Sequence, residues 1–287
     1  MSEQLYGLVE AGGTKFVLGV AASKDDIRAT VRIPTTTPDE TIGAMCAWFT
    51  AQDKLAAIGV ASFGPLGLDP VSPSWGHITA TTKPHWSNTD IAGPLKAAFK
   101  CPVVIDTDVN GAALAEYLWG AAQSQKTMLY FTVGTGIGGG AIVDGRILKG
   151  LSHPEMGHIR PPRHPADHGF AGVCPVHGDC LEGLASGPAI MARWGASLSE
   201  LPGDHPAHEM IAWYLAQIIV TMQAIFEPGR IVLGGGVMAT PHLIDRIMAQ
   251  TITLGSAYFK SDPAHIISLP GLGHNAGLLG ALALITH

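Results

Sequence analysis

The sequence predicts an α/β protein of two domains, and three observations carry that prediction. Its 287 residues exceed the length at which a single core usually stops growing. Apolar runs of strand length are mixed with segments of helical pattern, which calls for sheets covered by helices. One pattern, an apolar strand, a turn of glycine and threonine and a second apolar strand, occurs twice, so the chain reads as internally duplicated.

The first copy is a hairpin. Residues 6–10 and 16–20 are apolar strands around Ala11-Gly12-Gly13-Thr14-Lys15, a turn with two glycines free to adopt positive φ. Residues 57–61 and 103–105 read as short strands leading into polar or Gly/Pro-rich residues. Residues 112–122 then have helical composition, with Leu114, Leu118 and Ala121 spaced for one buried face, so Asp108 falls at a strand-to-helix junction. The second copy runs from a strand at 128–133 through a turn at 134–140 to a strand at 141–143. Beyond it, residues 209–226 form a helix ended by Pro228-Gly229, and residues 231–233 run into Gly234-Gly235-Gly236. Residues 242–250 are another helix, and 275–285 an apolar helix with little polar face, suited to burial between layers. The domain boundary is expected near residue 115.

Bulk properties exclude several classes. Hydrophobic residues make up 47% and charged residues 14%, ample for sizeable cores, and no run reaches the ~18 apolar residues of a spanning helix. A soluble protein without a membrane partner is expected. A net charge of −6 and a pI near 6.1, with no cluster of Lys and Arg, argue against nucleic acid. The absence of an apolar signal segment and the presence of only four cysteines favour a reducing cytoplasm.

The most informative stretch lies between Glu155 and Glu182. His158, Cys174, His177 and Cys180 supply two imidazoles and two thiols, a set that Zn²⁺ takes in closed tetrahedral form. The alternative is a Cys174–Cys180 disulfide with two surface histidines. Zinc has no need of Glu155 and Glu182, so the staple is expected to fix carboxylates that face something else. Cys46 and Cys101 read as small buried hydrophobes. His153, His164 and His168 read as surface or pocket-lining residues, and Lys83, Trp75 and Trp86 as a lid or a subunit contact.

Glycine turns present consecutive backbone N–H groups that bind phosphate oxygens without formal positive charge. Three such turns occur: Gly12-Gly13-Thr14-Lys15, Gly134-Thr135-Gly136 and Gly234-Gly235-Gly236. None matches the Walker pattern or a Rossmann turn. Asp108 has two readings, an N-cap for the following helix or a proton acceptor. If the strand continues, Asp106 shares its face and would raise its proton affinity.

Glu10-Ala11-Gly12-Gly13-Thr14-Lys15, Asp108-Val109-Asn110-Gly111-Ala112-Ala113, residues 134–140, Glu155-Met156-Gly157-His158 and the Cys-His-Cys loop resemble the ROK family of sugar kinases, in the same order and nearly end to end. Phe63-Gly64-Pro65-Leu66, residues 79–84 and residues 177–188 are most similar to its bacterial fructokinase branch. The resemblance implies two ribonuclease-H-like domains of the actin and hexokinase-like type flanking an interdomain cleft. It gives domains at 1–115 and 116–274, with the zinc-binding loop at 153–185 and the C-terminal helix 275–287 packing back onto the first. It implies an ATP-dependent kinase that phosphorylates a hexose, D-fructose to fructose 6-phosphate, with glucose, mannose or an N-acetylated hexosamine as alternative substrates. Asp108 would be the base; Gly64, Pro65, Glu155, His158 and Glu182 would join it around the sugar. Gly12, Gly13, Thr14, Lys15, Gly134, Thr135, Gly136, Gly234, Gly235 and Gly236 would hold the nucleotide. His158, Cys174, His177 and Cys180 would bind structural Zn²⁺, and Mg²⁺ would accompany ATP. A homodimer is implied. Two departures weaken glucose: Glu10 stands where the family commonly has Asp, and Thr107 where glucose-specific members carry Asn. A sugar-sensing repressor and a catalytically silent zinc-stabilised binding module are the competing classes.

Overall fold

A computed structural model describes residues 4–287, the side chain of His274 excepted. The chain divides into two compact units: the first holds residues through Leu118 with Lys149–His153 and Leu272–His287, and the second Trp119–Leu148 and Pro154–Gly271.

In the first unit, β1 (Leu5–Ala11), β2 (Lys15–Ser23) and β3 (Asp26–Pro34) form an antiparallel meander. Helix α1 (Pro38–Thr50) leads to β4 (Leu55–Ser62). The small hairpin β5 (His77–Ile78) and β6 (Thr89–Asp90) and helix α2 (Ala92–Phe99) precede β7 (Val103–Thr107), which runs directly into α3 (Asp108–Trp119). The sheet order is β3-β2-β1-β4-β7, parallel among β1, β4 and β7. Burial explains this order. β4 is apolar almost throughout and lies inside the sheet, whereas β3 alternates between covered and open positions and forms its edge.

In the second unit, β8 (Thr127–Val133), β9 (Ile137–Val143) and β10 (Arg146–Ile147) form another meander. A long excursion follows, with α4 (Leu181–Ala185), α5 (Gly187–Trp194) and α6 (Pro206–Phe226), before β11 (Arg230–Gly234), α7 (Leu243–Gly255), α8 (Pro263–Ile266) and β12 (Ile267–Ser268). The order β10-β9-β8-β11-β12 repeats the first sheet strand for strand, with the same antiparallel and parallel pairings. The last helix, α9 (Ala276–Thr286), belongs to the first unit and packs on β4 and β1 with most of its length buried, as its apolar composition requires.

Several expectations change. Residues 138–140 are not turn but the interior of β9: the missing side chain of Gly139 leaves room for the Phe131 ring and Met156, each under 3 Å from where a Cβ would stand. Helix α3 starts and ends earlier than the composition of 112–122 suggests. Helix α6 is long and apolar enough to cross a bilayer by length and mean hydropathy, yet Ile211, Leu215, Ile218 and Ile219 form the centre of the second core. Trp86 is neither lid nor subunit contact. It is fully buried between Phe16 and Phe63, and its indole N–H donates to Thr36 O at 2.8 Å. Trp75 is partly buried, with the Lys96 ammonium 3.6 Å from its ring centre.

Candidate active site

In open α/β sheets, ligands bind beyond the carboxyl ends of parallel strands. Three such ends lie side by side in the first unit: Ala11 of β1 pairs with Ser62 of β4, which pairs with Thr107 of β7. From them issue the Gly12–Lys15 turn, the Gly64-Pro65 turn and Asp108. The sheet therefore gathers one predicted phosphate turn, the predicted sugar turn and the predicted base at one edge. Thr35 holds the first of these, its hydroxyl donating to Gly12 O at 2.7 Å and its N–H to Thr14 O at 3.0 Å. Thr14 and Lys15 are exposed, and a Cβ on Gly13 would meet nothing within 4 Å, so no packing inside the protein requires that glycine. Glu10 is half-buried with its carboxyl against Gly277 at the start of α9; burial raises its pKa, and Lys15 and Arg32 pull it down.

The cap of α3 is Thr107, whose hydroxyl accepts the Asn110 N–H at 3.2 Å, rather than Asp108. Asp108 is partly exposed and accepts the Val109 N–H at 2.9 Å. With the cap supplied by its neighbour, the cap reading of Asp108 falls away. Asp106 also differs from expectation. The strand stops at Thr107, so the shared-face argument lapses, and Asp106 is a compensated charge: Oδ1 accepts from Thr107 N–H at 2.8 Å and Asn110 Nδ2 at 2.7 Å, and Lys149 Nζ lies 2.9 Å from Oδ2.

The second unit repeats the arrangement. The Gly134–Gly136 turn leaves the end of β8 and the Gly234–Gly236 run leaves the end of β11, its parallel neighbour. The two are adjacent, since a Cβ on Gly134 would lie 3.9 Å from the Gly236 nitrogen. Thr135 is exposed, and Gly236 opens onto free space. Glu182, in the first turn of α4, is bonded to this region: its Oε2 accepts the Ile137 N–H at 3.0 Å and sits against Gly136. Gly187 N–H adds a bond to Gly134 O at 2.8 Å. Sequence reasoning missed this link because it depends on which backbone donor the carboxylate meets.

His158, Cys174, His177 and Cys180 come together, with all donor atoms within 4.8 Å of one another. Tetrahedral Zn²⁺ with bonds of about 2.0–2.3 Å requires donor separations of about 3.3–3.8 Å. The His158 Nδ1 contacts to Cys174 and Cys180 sulfur are 3.8 and 3.5 Å, and His177 Nδ1 lies 3.9 Å from Cys174 sulfur. The residues fit the metal. Cys174 and Cys180 are free thiols, which removes the disulfide alternative. Burial, with the neighbouring Cys174 and Glu182, pushes the Cys180 thiol up to about 11, and a bound cation would take its proton away. Gly157 sets the turn that carries Glu155 and His158. A Cβ there would lie 1.7 Å from Ile137 O, so only glycine allows the turn to lie flush on β9. Glu155 is exposed beside His158, their side chains 3.9 Å apart.

An ion cluster anchors the metal loop to the helices behind it. Asp167 is buried, pairs with Arg163 at 3.2 Å and Arg193 at 3.1 Å, and accepts from the Tyr214 hydroxyl. Tyr214 oxygen in turn accepts the His164 N–H at 3.1 Å. Burial, helped by the Asp167 bond, raises the Tyr214 pKa and keeps that donor in place. No spacing in the chain signals this cluster, because its members are drawn from three separate segments.

Two sheets of one topology, with glycine turns at the carboxyl ends of their parallel strands, define a two-domain α/β protein of the actin and hexokinase-like class. The chain belongs to the ROK family, whose model matches residues 6–287. It is 52% identical over 290 residues to a fructokinase of Zymomonas mobilis, covering 98% of this chain and 96% of that protein. It is 41% identical to a fructokinase of Pediococcus pentosaceus, over 98% of this chain and 97% of that one. Among solved structures, a ROK hexokinase from Thermus thermophilus superposes with a TM-score of 0.79 at 28% identity, covering 98% of this chain and 97% of the other.

Proposed function

We propose that this enzyme is an ATP-dependent fructokinase, transferring the γ-phosphoryl group to the 6-hydroxyl of D-fructose. The observation that carries the reading is the likeness to fructokinases along almost the whole chain. Asp108 accepts the hydroxyl proton as the sugar oxygen bonds to the γ-phosphorus and the bond to the β-phosphate oxygen breaks, leaving ADP. Phosphoryl transfer needs positioning and charge neutralisation more than covalent chemistry, and one carboxylate near the nucleophile meets the proton requirement. The exposed N–H groups and threonines of the turns at 12–15 and 134–136 grip the phosphates, and Gly234, Gly235 and Gly236 line the nucleotide. Mg²⁺ arriving with ATP supplies the remaining neutralisation. Gly64, Pro65, Glu155, His158 and Glu182 orient the sugar.

His158, Cys174, His177 and Cys180 hold structural Zn²⁺, which stiffens the loop carrying Glu155 and Glu182. All four cysteines are free, which suits a reducing cytoplasm, and the enzyme acts there as a homodimer. Thr107 weakens the case for glucose: its hydroxyl is buried and engaged as the cap of α3. An ADP-coupled assay across fructose, glucose, mannose and N-acetylglucosamine tests the assignment. Fructose is expected to give the highest kcat/KM. A higher value for any other sugar, or ATP-independent sugar binding without turnover, would replace this reading.

A further inference from the structure

Between β10 and the metal loop the chain leaves the second unit for five residues, Lys149–His153, which belong to the first. Both ends of this strap are bonded. Lys149 Nζ lies 2.9 Å from Asp106 Oδ2, and His153 Nε2 accepts the Leu66 N–H at 3.1 Å. The His153 ring also lies against Gly64, 3.5 Å from where a Cβ would stand. Leu151 and Ser152, between the two, face solvent. The strap thus touches the two segments proposed to meet the sugar hydroxyls in the first unit: the turn that Leu66 closes and the strand end that leads into Asp108.

We propose that Lys149 and His153 are positioning residues for phosphoryl transfer, the first setting Asp108 through Asp106 and the second setting the Gly64-Pro65 turn through the Leu66 N–H. This deepens the kinase reading and rests on it. Asp106 is 1% exposed, and a carboxylate so buried is costly unless a cation answers it. Lys149 answers it, and the other oxygen of Asp106 is then free to hold Thr107 N–H, just before Asp108, and Asn110 Nδ2, in the first turn of α3. Without the cation, the buried carboxylate loses the partner that offsets its desolvation, and the turn loses its hold. His153 acts by geometry. Its Nε2 is an acceptor, so its proton is on Nδ1, and a side chain with no acceptor leaves the Leu66 N–H unpaired. A displacement of ~1 Å at Asp108 is enough to cost on the order of 10²-fold in rate, whereas a shift of the Gly64-Pro65 turn weakens sugar binding.

Steady-state kinetics on a small set of variants of the whole enzyme test the proposal. Lys149→Met is expected to lower kcat by about 10- to 100-fold while KM for ATP stays within about twofold, and Lys149→Arg to keep most of the activity. The double variant Asp106→Asn with Lys149→Met has no charge to balance and keeps an acceptor oxygen. It is expected to recover to within about fivefold of the parent. His153→Leu should raise KM for fructose by about tenfold with kcat nearly kept, and His153→Gln, whose amide oxygen can accept the same N–H, should reverse most of that. Parental kcat in Lys149→Met, a double variant as slow as the single one, or equal behaviour of the two His153 variants would overturn the proposal. If Lys149→Met does not fold, the double variant decides alone, a slow one counting against. Asp108→Asn is assayed beside them: parental turnover there defeats the base assignment itself, whereas the His153 pair still judges the strap by fructose KM.

Discussion

The two sheets share strand order and pairing, yet what hangs from them differs. Between the third and fourth strands the first unit has residues 35–54, a loop and one helix. The corresponding stretch after the third strand of the second sheet is residues 148–229, which holds the Cys/His loop and three α-helices, its residues Lys149–His153 belonging to the first unit. Both sheets place glycine turns at the carboxyl ends of parallel strands, but the acid at the start of a helix belongs to the first and the metal loop with its two glutamates to the second. On the proposed function, the repeated sheets present two similar grips for phosphate. The groups proposed to meet the sugar are divided unequally, an acid at one strand end in the first unit and a long insertion in the second.

That contrast can be broken at several points. The largest effect is expected at the acid: Asp108→Asn should lower kcat by about 10²- to 10⁴-fold with little change in KM for ATP, measured by coupled assay. Next comes the insertion. Removing the metal by chelation, or replacing Cys180 with Ser, should release zinc by elemental analysis, open residues 155–185 to protease and raise fructose KM by about 10- to 100-fold. Unchanged protease resistance after verified metal loss would deny the loop its staple.

A smaller effect separates the two carboxylates of the insertion. Glu182 ties the Gly134–Gly136 turn, proposed to hold phosphate, through Ile137 N–H, whereas Glu155 lies exposed beside His158. Glu182→Ala should therefore raise KM for ATP by about tenfold as well as KM for fructose, and Glu155→Ala should raise only the latter.

The smallest effect is one of stability. Burial raises the Glu10 pKa in the folded protein, against lowering by Lys15 and Arg32. A raised folded pKa means that stability from this group is full below its unfolded value and is lost as pH rises through the folded one. Glu10→Gln should accordingly raise Tm at about pH 8, with the gain closing toward about pH 4, followed by calorimetry. A lower Tm at the alkaline end would contradict the burial account.

What the sequence revealed follows physical range. The β1–β2 hairpin, the helical pattern of α6 and the burial of α9 rest on local periodicity, and local periodicity survives in one dimension. The gathering of His158, Cys174, His177 and Cys180 was equally legible, since their chemistry and spacing are written in a short stretch. Residues 138–140 misled because glycine favours turns, while Gly139 serves a strand that presses on Phe131 and Met156. Trp86 misled because its burial depends on Phe16 and Phe63, supplied by distant strands. Asp108 and Thr107 are neighbours, and only hydrogen-bond geometry shows which of them caps α3. The Lys149–Asp106 pair and the Asp167 cluster left no trace in spacing, because tertiary folding alone brings their members together.

The most direct measurement is a crystal structure of the zinc-loaded enzyme with fructose and a non-hydrolysable ATP analogue. A carboxylate oxygen of Asp108 is expected within about 2.6–3.2 Å of the fructose 6-hydroxyl, with that oxygen in line with the γ-phosphorus. A 6-hydroxyl met by another side chain, with Asp108 turned away from the sugar, would contradict the account.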